Sequence, residues 1–243
     1  MNGIAQVRQM TGGQVKDLGV ALVQAVPTDL TFESAEYTLK HKTELAAHIR
    51  LFFSKTEDLT NPVKQWEQFY LKAFGLTADL SGVKIPERTA EQAKELTRLI
   101  IVLQGFTQEQ VYAVCKKSFP SWKYADDLDK SIPTNERDPK NGTYAIWVRD
   151  TVEADEIHRN KSANMIREEG LKTETNLERM LHELKYFMET GKHLDIQNIT
   201  LCSGSRYSDG DVPGGDWSGG RFDVDYYSVG NRYDRLRPRE VIS

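Results

Sequence analysis

Apolar residues recur at helical spacing through the first half of the chain and switch to alternation near its end. From Val15 to Val26 they fall at Val15, Leu18, Ala21, Leu22 and Ala25, one face of a helix that Pro27 ends. Thr31 reads as an N-cap, and Thr43 as the cap of a helix burying Leu45, Ile49 and Phe52. Pro62 opens a further helix with Val63, Trp66, Phe69, Tyr70 and Phe74 on one stripe and Gly75 as its stop. "AEQAKELTRLIIVLQG" reads as helical up to Gly105. Thr107 and Gln110 then have the spacing of a capping box.

The pattern changes at about Ser118. "FPSWKYADDLDKSIPTNERDPKNG" carries three prolines and many Asp and Asn, so it reads as a long loop anchored by Phe119, Trp122 and Tyr124. "TYAIWVRD" reads as a strand with Tyr144, Ile146 and Val148 on one side. A polar helical stretch is expected over roughly 152–168. The clearest helix follows: Thr175 and Glu178 form a capping box, Leu177, Met180, Leu181, Leu184 and Phe187 make its apolar face, and Gly191 stops it. "LDIQNITLC" reads as a strand.

Residues 221–227, "RFDVDYY", alternate with a period of two. Phe222, Val224 and Tyr226 fall on one face and Arg221, Asp223, Asp225 and Tyr227 on the other. "WSGGR" and "YSVGNRYD" read as hairpin turns on either flank. "LRPREVI" reads as a closing strand that Pro238 confines to an edge or bulge.

Length and charge narrow the classes. A chain of 243 residues with 39% hydrophobic and 28% charged residues is long enough to bury a core and is not globally disordered. Its net charge of −4 comes with no basic block, which argues against nucleic acid as a partner. The longest apolar run, "LIIVL", is too short to span a membrane, and "MNGIAQVRQM" lacks the apolar core of a signal peptide, so the expected compartment is the cytoplasm.

The candidate chemistry is sparse. Cys115 and Cys202 are expected as two buried free thiols. Asp127, Asp129 and Ser131 alternate like the start of a calcium loop, but Ile132 stands where that loop needs Gly, so loop acids are expected instead. His41 and His48 lie seven apart, and none of the five histidines has the spacing of a helical metal pair. Cys202, Ser203 and Ser205 are candidate nucleophiles without a nucleophile-elbow motif. A hydrolase or transferase would need His182 or His193 brought to them. Asp209, Asp211 and Asp216 in "DGDVPGGD" suit turns, and "GGDWSGG" is no phosphate cradle. No cofactor or metal is expected.

The stretch 204–239 is compositionally unlike the rest: it holds seven of the 17 glycines and four of the ten tyrosines, and no lysine. Tyr, Ser, Gly, Asn and Arg are the residues of binding surfaces, because Tyr gives contact area at low entropic cost and the small polar residues adapt their hydrogen bonds. "GTYAIWVRDTVEADEIH", "TETNLERMLHELKYFMETGKHLD", "NITLCSGSRYSDGDVP" and "DRLRPREVIS" resemble a group of uncharacterised bacterial proteins. Their layout resembles the variable proteins of diversity-generating retroelements, which display a hypervariable C-terminus on a C-type-lectin-like domain of the formylglycine-generating-enzyme kind. Adenine-directed mutagenesis in such systems yields no Lys, Glu, Gln, Met or Trp, and Trp217 is the single residue of that set between Ser203 and Arg239.

The resemblance implies an α+β chain: a helical N-terminal domain over 1–118, then a C-type-lectin-like domain with a small antiparallel sheet over 119–243, variable over 203–239. The implied function is non-enzymatic recognition of a protein ligand. Tyr207, Asp216, Ser218, Asp223, Asp225, Tyr227, Asn231, Arg232 and Tyr233 are then expected to face the ligand, and Phe222, Val224, Tyr226 and Leu236 to be scaffold. The alternatives are the hydrolase or transferase above and a structural or assembly protein whose C-terminal sheet closes a core.

Overall fold

A computed structural model describes residues 11–43, 45, 49 and 61–243. The fold is α+β. Contacts divide the chain into two units, 1–58 and 59–243. In the first, α1 (Gly12–Gln24) starts at a capping box of Thr11 and Gln14, and α2 (Phe32–Lys40) at the Thr31 cap. Neither helix buries a side chain, and Val23 and Phe32 are about three-quarters exposed. The helix expected after Thr43 lies largely outside the described residues.

In the second unit, α3 (Pro62–Phe74) runs from its Asn61 cap to Gly75, whose φ of 68° is the left-handed conformation that ends helices. Trp66 donates to the Leu99 carbonyl at 2.8 Å and Tyr70 to that of Ile101 at 2.6 Å. Those carbonyls belong to β1 (Arg98–Val102). The sequence pattern had read "TRLIIVL" as helix, but only α4 (Gln92–Glu95) is helical there. Ile100, Ile101 and Val102 are β-branched and wholly buried, and they pair antiparallel with β4 (Tyr144–Val148), Ile100 facing Ile146. The C-terminus joins this pair through Ile242, bonded in both directions to Trp147.

The stretch expected as a long loop is ordered throughout. After α5 (Gln108–Ser118) come β2 (Ser121–Lys123), α6 (Leu128–Ser131), β3 (Thr134–Asn135) and a 3-10 turn at Pro139–Asn141. Asp127 caps α6, and Asp129 accepts from the Gln108 and Glu109 amides, so these acids serve helix ends rather than a calcium loop. Within 152–168 only a 3-10 turn, Glu156–His158, and α7 (Ala163–Glu168) form.

The capping box and Gly191 stop expected for the strongest helix bound α8 (Asn176–Thr190). Asn176 to Lys185 are all buried, polar positions included, because α8 packs against α5, β1 and β7. The main sheet has the order β2–β8–β7–β5–β9, with β5 at Ile199–Leu201, β7 at Val212–Ser218, β8 at Arg221–Tyr227 and β9 at Leu236–Arg237. It is mixed rather than purely antiparallel: β2 runs parallel to β8 and β5 parallel to β9. A short pairing of β3 with β6 (Ser205–Arg206) flanks it. Gly219 and Gly220, both at positive φ, make the two-residue hairpin turn between β7 and β8. The second expected hairpin turn, 227–234, instead leads the chain across to the far edge of the sheet. One core joins Trp66, Tyr70 and Val111 to Met180 and Phe222, so residue 118, the expected domain boundary, lies inside this unit.

Candidate functional site

The register of β7 against β8 sorts their side chains onto two faces. Asp216 stands opposite Asp223, Gly214 opposite Asp225, Gly215 opposite Val224 and Trp217 opposite Phe222. Paired residues share a face. The inner face is fixed by α8: Phe222 and Val224 are fully buried, and a Cβ on Gly215 would come within 3.2 Å of the Arg179 side chain. Trp217 stacks on His193 at 3.3 Å between ring centroids.

The outer face carries Asp216, Asp223, Asp225 and Tyr227, four residues the alternation singled out. Toward β9 this face is covered by a small apolar cluster of Ala163, Ile166, Leu201, Val212 and Leu236, with Tyr227 and Val229 against it. Toward β2 it is open. There Trp122 pairs with Asp223 across the parallel β2–β8 ladder and is 37% exposed. Arg221 donates to Asp223 at 2.6 Å and lies over the Trp122 ring, 5.2 Å from its centroid. Trp122 and Arg221 belong to this face and were not among the expected ligand-facing residues. Trp122 gives no local signal, since nothing in the sequence shows a parallel partner for β2.

The other expected site residues divide. Ser218 and Arg232 are exposed, and Tyr233 is exposed with its ring 6.4 Å from that of Tyr227. Tyr207 is 7% exposed and its hydroxyl reaches the Asp225 carbonyl, so it braces β8. Asn231 accepts from the Ser228 amide and holds its own loop, and Arg232 donates to the Asn160 carbonyl. Among the expected scaffold residues, Phe222, Val224 and Leu236 are fully buried, but Tyr226 is 43% exposed, its ring tilted against that of Tyr124 at 4.2 Å between centroids.

The acids differ in their compensation. Asp223 has Arg221, and Asp225 accepts from the Tyr226 amide. Asp216 is only 6% exposed and, among the described residues, makes no hydrogen bond or ion pair. Burial, with Asp223 opposite, pushes its carboxyl up to about 6, against the weaker pull of Arg179 beneath the sheet and Arg235.

Beneath the sheet lies a buried charge network. Asp195 receives Arg179 Nε at 3.0 Å, Arg239 Nη2 at 2.8 Å, the Thr200 hydroxyl at 2.5 Å and the Ala154 amide at 2.7 Å. Arg179 also pairs with Glu183 at 2.9 Å; its Nη2 is 2.9 Å from Asp195 but at an angle that makes no hydrogen bond. Burial pushes Asp195 up, but Arg239 and Arg179 together hold it below the ordinary value. This network ties α8 to β5 and to the chain end. The sequence pattern showed none of it.

Among the described residues no hydrogen bond joins Cys202, Ser203 or Ser205 to His182 or His193, and the Ser203 hydroxyl and His182 Nε2 are both buried without a partner. Cys115 and Cys202 are buried and free, as expected, and burial pushes the Cys202 thiol well up, away from a reactive thiolate. Ser205 donates to Asn135, while His182 bonds Glu174 and His193 bonds Glu183. Asp155, His158 and Glu240 bring three ligand-type atoms within 4.8 Å, but Arg149 Nη1 stands 2.7 Å from Asp155 and 2.9 Å from Glu240, supplying the positive charge itself. A cleft of about 720 Å³ beside Arg137 and Tyr144 lies away from the outer sheet face. No described helix is long and apolar enough to cross a membrane.

Compared with protein-family models, curated proteins and solved structures, the chain matches none of them.

Proposed function

We propose that this chain is a non-enzymatic ligand-recognition protein that presents the outer face of β8 and β7 to a protein partner. On this reading 119–243 is a C-type-lectin-like scaffold and 203–239 its diversifiable region. One observation carries the reading: Trp122, Asp223 and Asp225 are grouped on the side of the outer face left open toward β2, with Asp216 and Tyr227 at the border of its covered side, on a strand pair whose other face is pinned by Phe222 and Val224 to the core. A rigid scaffold under an adaptable polar and aromatic surface is the arrangement of paratopes.

Selection of a random peptide display library against the full chain tests this. Peptides are expected that lose binding to the Tyr227→Ala, Tyr233→Ala double variant while that variant stays folded. Recovery only of peptides indifferent to those changes, or of none, overturns the reading. Diversification is tested at the gene: a neighbouring reverse transcriptase gene and a near-copy of the codons for 203–239 differing at adenines are expected, and their absence overturns that part.

A further inference from the structure

The outer face holds more negative charge than the protein neutralises. Asp216, Asp223 and Asp225 project from adjacent positions of β7 and β8, and among the described residues the one guanidinium bonded to any of them is that of Arg221, on Asp223. Arg235 lies near enough to favour the charged form of Asp216, but its Nε is engaged by the Gln197 carbonyl. Arg179 acts on Asp216 from the inner face, where Asp195 and Glu183 bind it. Asp216 is therefore a residue more than nine-tenths buried whose carboxylate oxygens still reach the surface, bonded to no described donor and directly across from a second carboxylate. Such a partly desolvated charge costs stability, and a donor from outside the chain relieves that cost.

The form of that something is indicated by the site. Among the described residues, only Asp155, His158 and Glu240 bring three ligand-type atoms within 4.8 Å, so the three outer-face acids are not gathered as a three-carboxylate cation site. A planar guanidinium donates along two edges and so can serve carboxylates on neighbouring strands at once. Aromatic faces flank the acids: Trp122 beside Asp223, and Tyr227, whose ring lies over Gly214. Arg221 already shows the mode in miniature, bonded to Asp223 and lying over Trp122.

We propose that the face formed by Asp216, Asp223, Asp225 and Tyr227 takes an arginine side chain of the partner polypeptide. The inference rests on the ligand-recognition reading above and deepens it by naming the group recognised. An arginine seated here gives Asp216 its missing donors and relieves its repulsion with Asp223.

The test is a carbon-13 NMR titration of the full-length protein, following the Asp216 carboxyl and the Trp122 and Tyr227 rings. The probes are N-acetylarginine amide, the neutral N-acetylcitrulline amide, N-acetyllysine amide and calcium chloride. The arginine probe is expected to bind in the millimolar range, lower the Asp216 pKa toward the ordinary carboxylate value, and shift both rings. Asp216→Asn is expected to weaken it at least tenfold while the variant melts no lower than wild type, which a merely structural aspartate would not do. Equal response to citrulline, preference for lysine, or response to calcium alone overturns the proposal. So does silence with all four probes. If the display selection still returns peptides dependent on Tyr227 and Tyr233, only the arginine inference falls; if it returns none, both fall.

Discussion

The ring of Tyr227 lies over Gly214, close enough that a Cβ on Gly214 would stand 2.5 Å from the ring. The glycine is there for the neighbouring strand's side chain, not for a turn. Gly214→Ala is expected to swing Tyr227 off the sheet, because the atoms in the way are the far end of a side chain that can move. Stability should fall by only about 1 kcal/mol. The Tyr227 ring resonances should change strongly, and peptides selected on this face should lose binding. An unchanged Tyr227 environment would show that the ring does not rest on Gly214.

Asp216→Asn should raise stability at neutral pH, on the order of 1 kcal/mol after allowing for solvent screening. The folded carboxyl holds its proton up to about 6 and an unfolded aspartate only to about 4. Between those values the folded state binds more protons, so wild-type stability from this group falls as pH rises through that window. Chemical denaturation at pH 3.5 and at pH 7 checks it: the two proteins should be close at the lower pH and separate at the higher. A variant less stable than wild type at pH 7 would mean that Asp216 has a partner within the chain.

Asp195→Asn should cost about 3 to 5 kcal/mol, since it leaves Arg179 and Arg239 buried against a neutral amide. Urea unfolding measures this. Because Arg239 also bonds the carbonyls of Thr151 and Val152, amide exchange should rise first around residues 151–154 and 195–200. A cost below about 1 kcal/mol would show that the network does not hold these segments.

Phe222→Ala and Tyr226→Ala separate the two ends of one face of β8. Phe222 is fully buried, and its truncation should cost about 3 to 5 kcal/mol. Tyr226 is 43% exposed with its ring against that of Tyr124, so its loss should cost about 1 kcal/mol or less. Thermal unfolding of the two variants distinguishes them, and equal losses would return Tyr226 to the core.

Much of the outer face was readable from seven residues. The alternation in "RFDVDYY" placed Asp223, Asp225 and Tyr227 together because side-chain direction along a strand depends on local sequence order alone. Asp216 joined them through a two-residue turn, and a Gly-Gly hairpin is also a local feature. Trp122 did not, since its place beside Asp223 depends on a parallel pairing across about a hundred residues. Tyr207 and Asn231 have ligand-like composition but hold the backbone, a distinction that only their hydrogen-bond partners make.

The sequence by itself determined the helices with caps and stops, α3, α5 and α8, and the inside and outside of β8, since these follow from spacing within a few residues. It misread "RLIIV" as helix, because a short apolar run has no period that separates a buried helix from a buried strand. Only the tertiary structure decided that this run pairs with β4, that α8 buries its charged side as well as its apolar one, and that Asp216 faces Asp223 with no cation bonded to it. Those outcomes depend on which distant segments arrive against each other, and hence on desolvation and charge pairing, which no local pattern encodes.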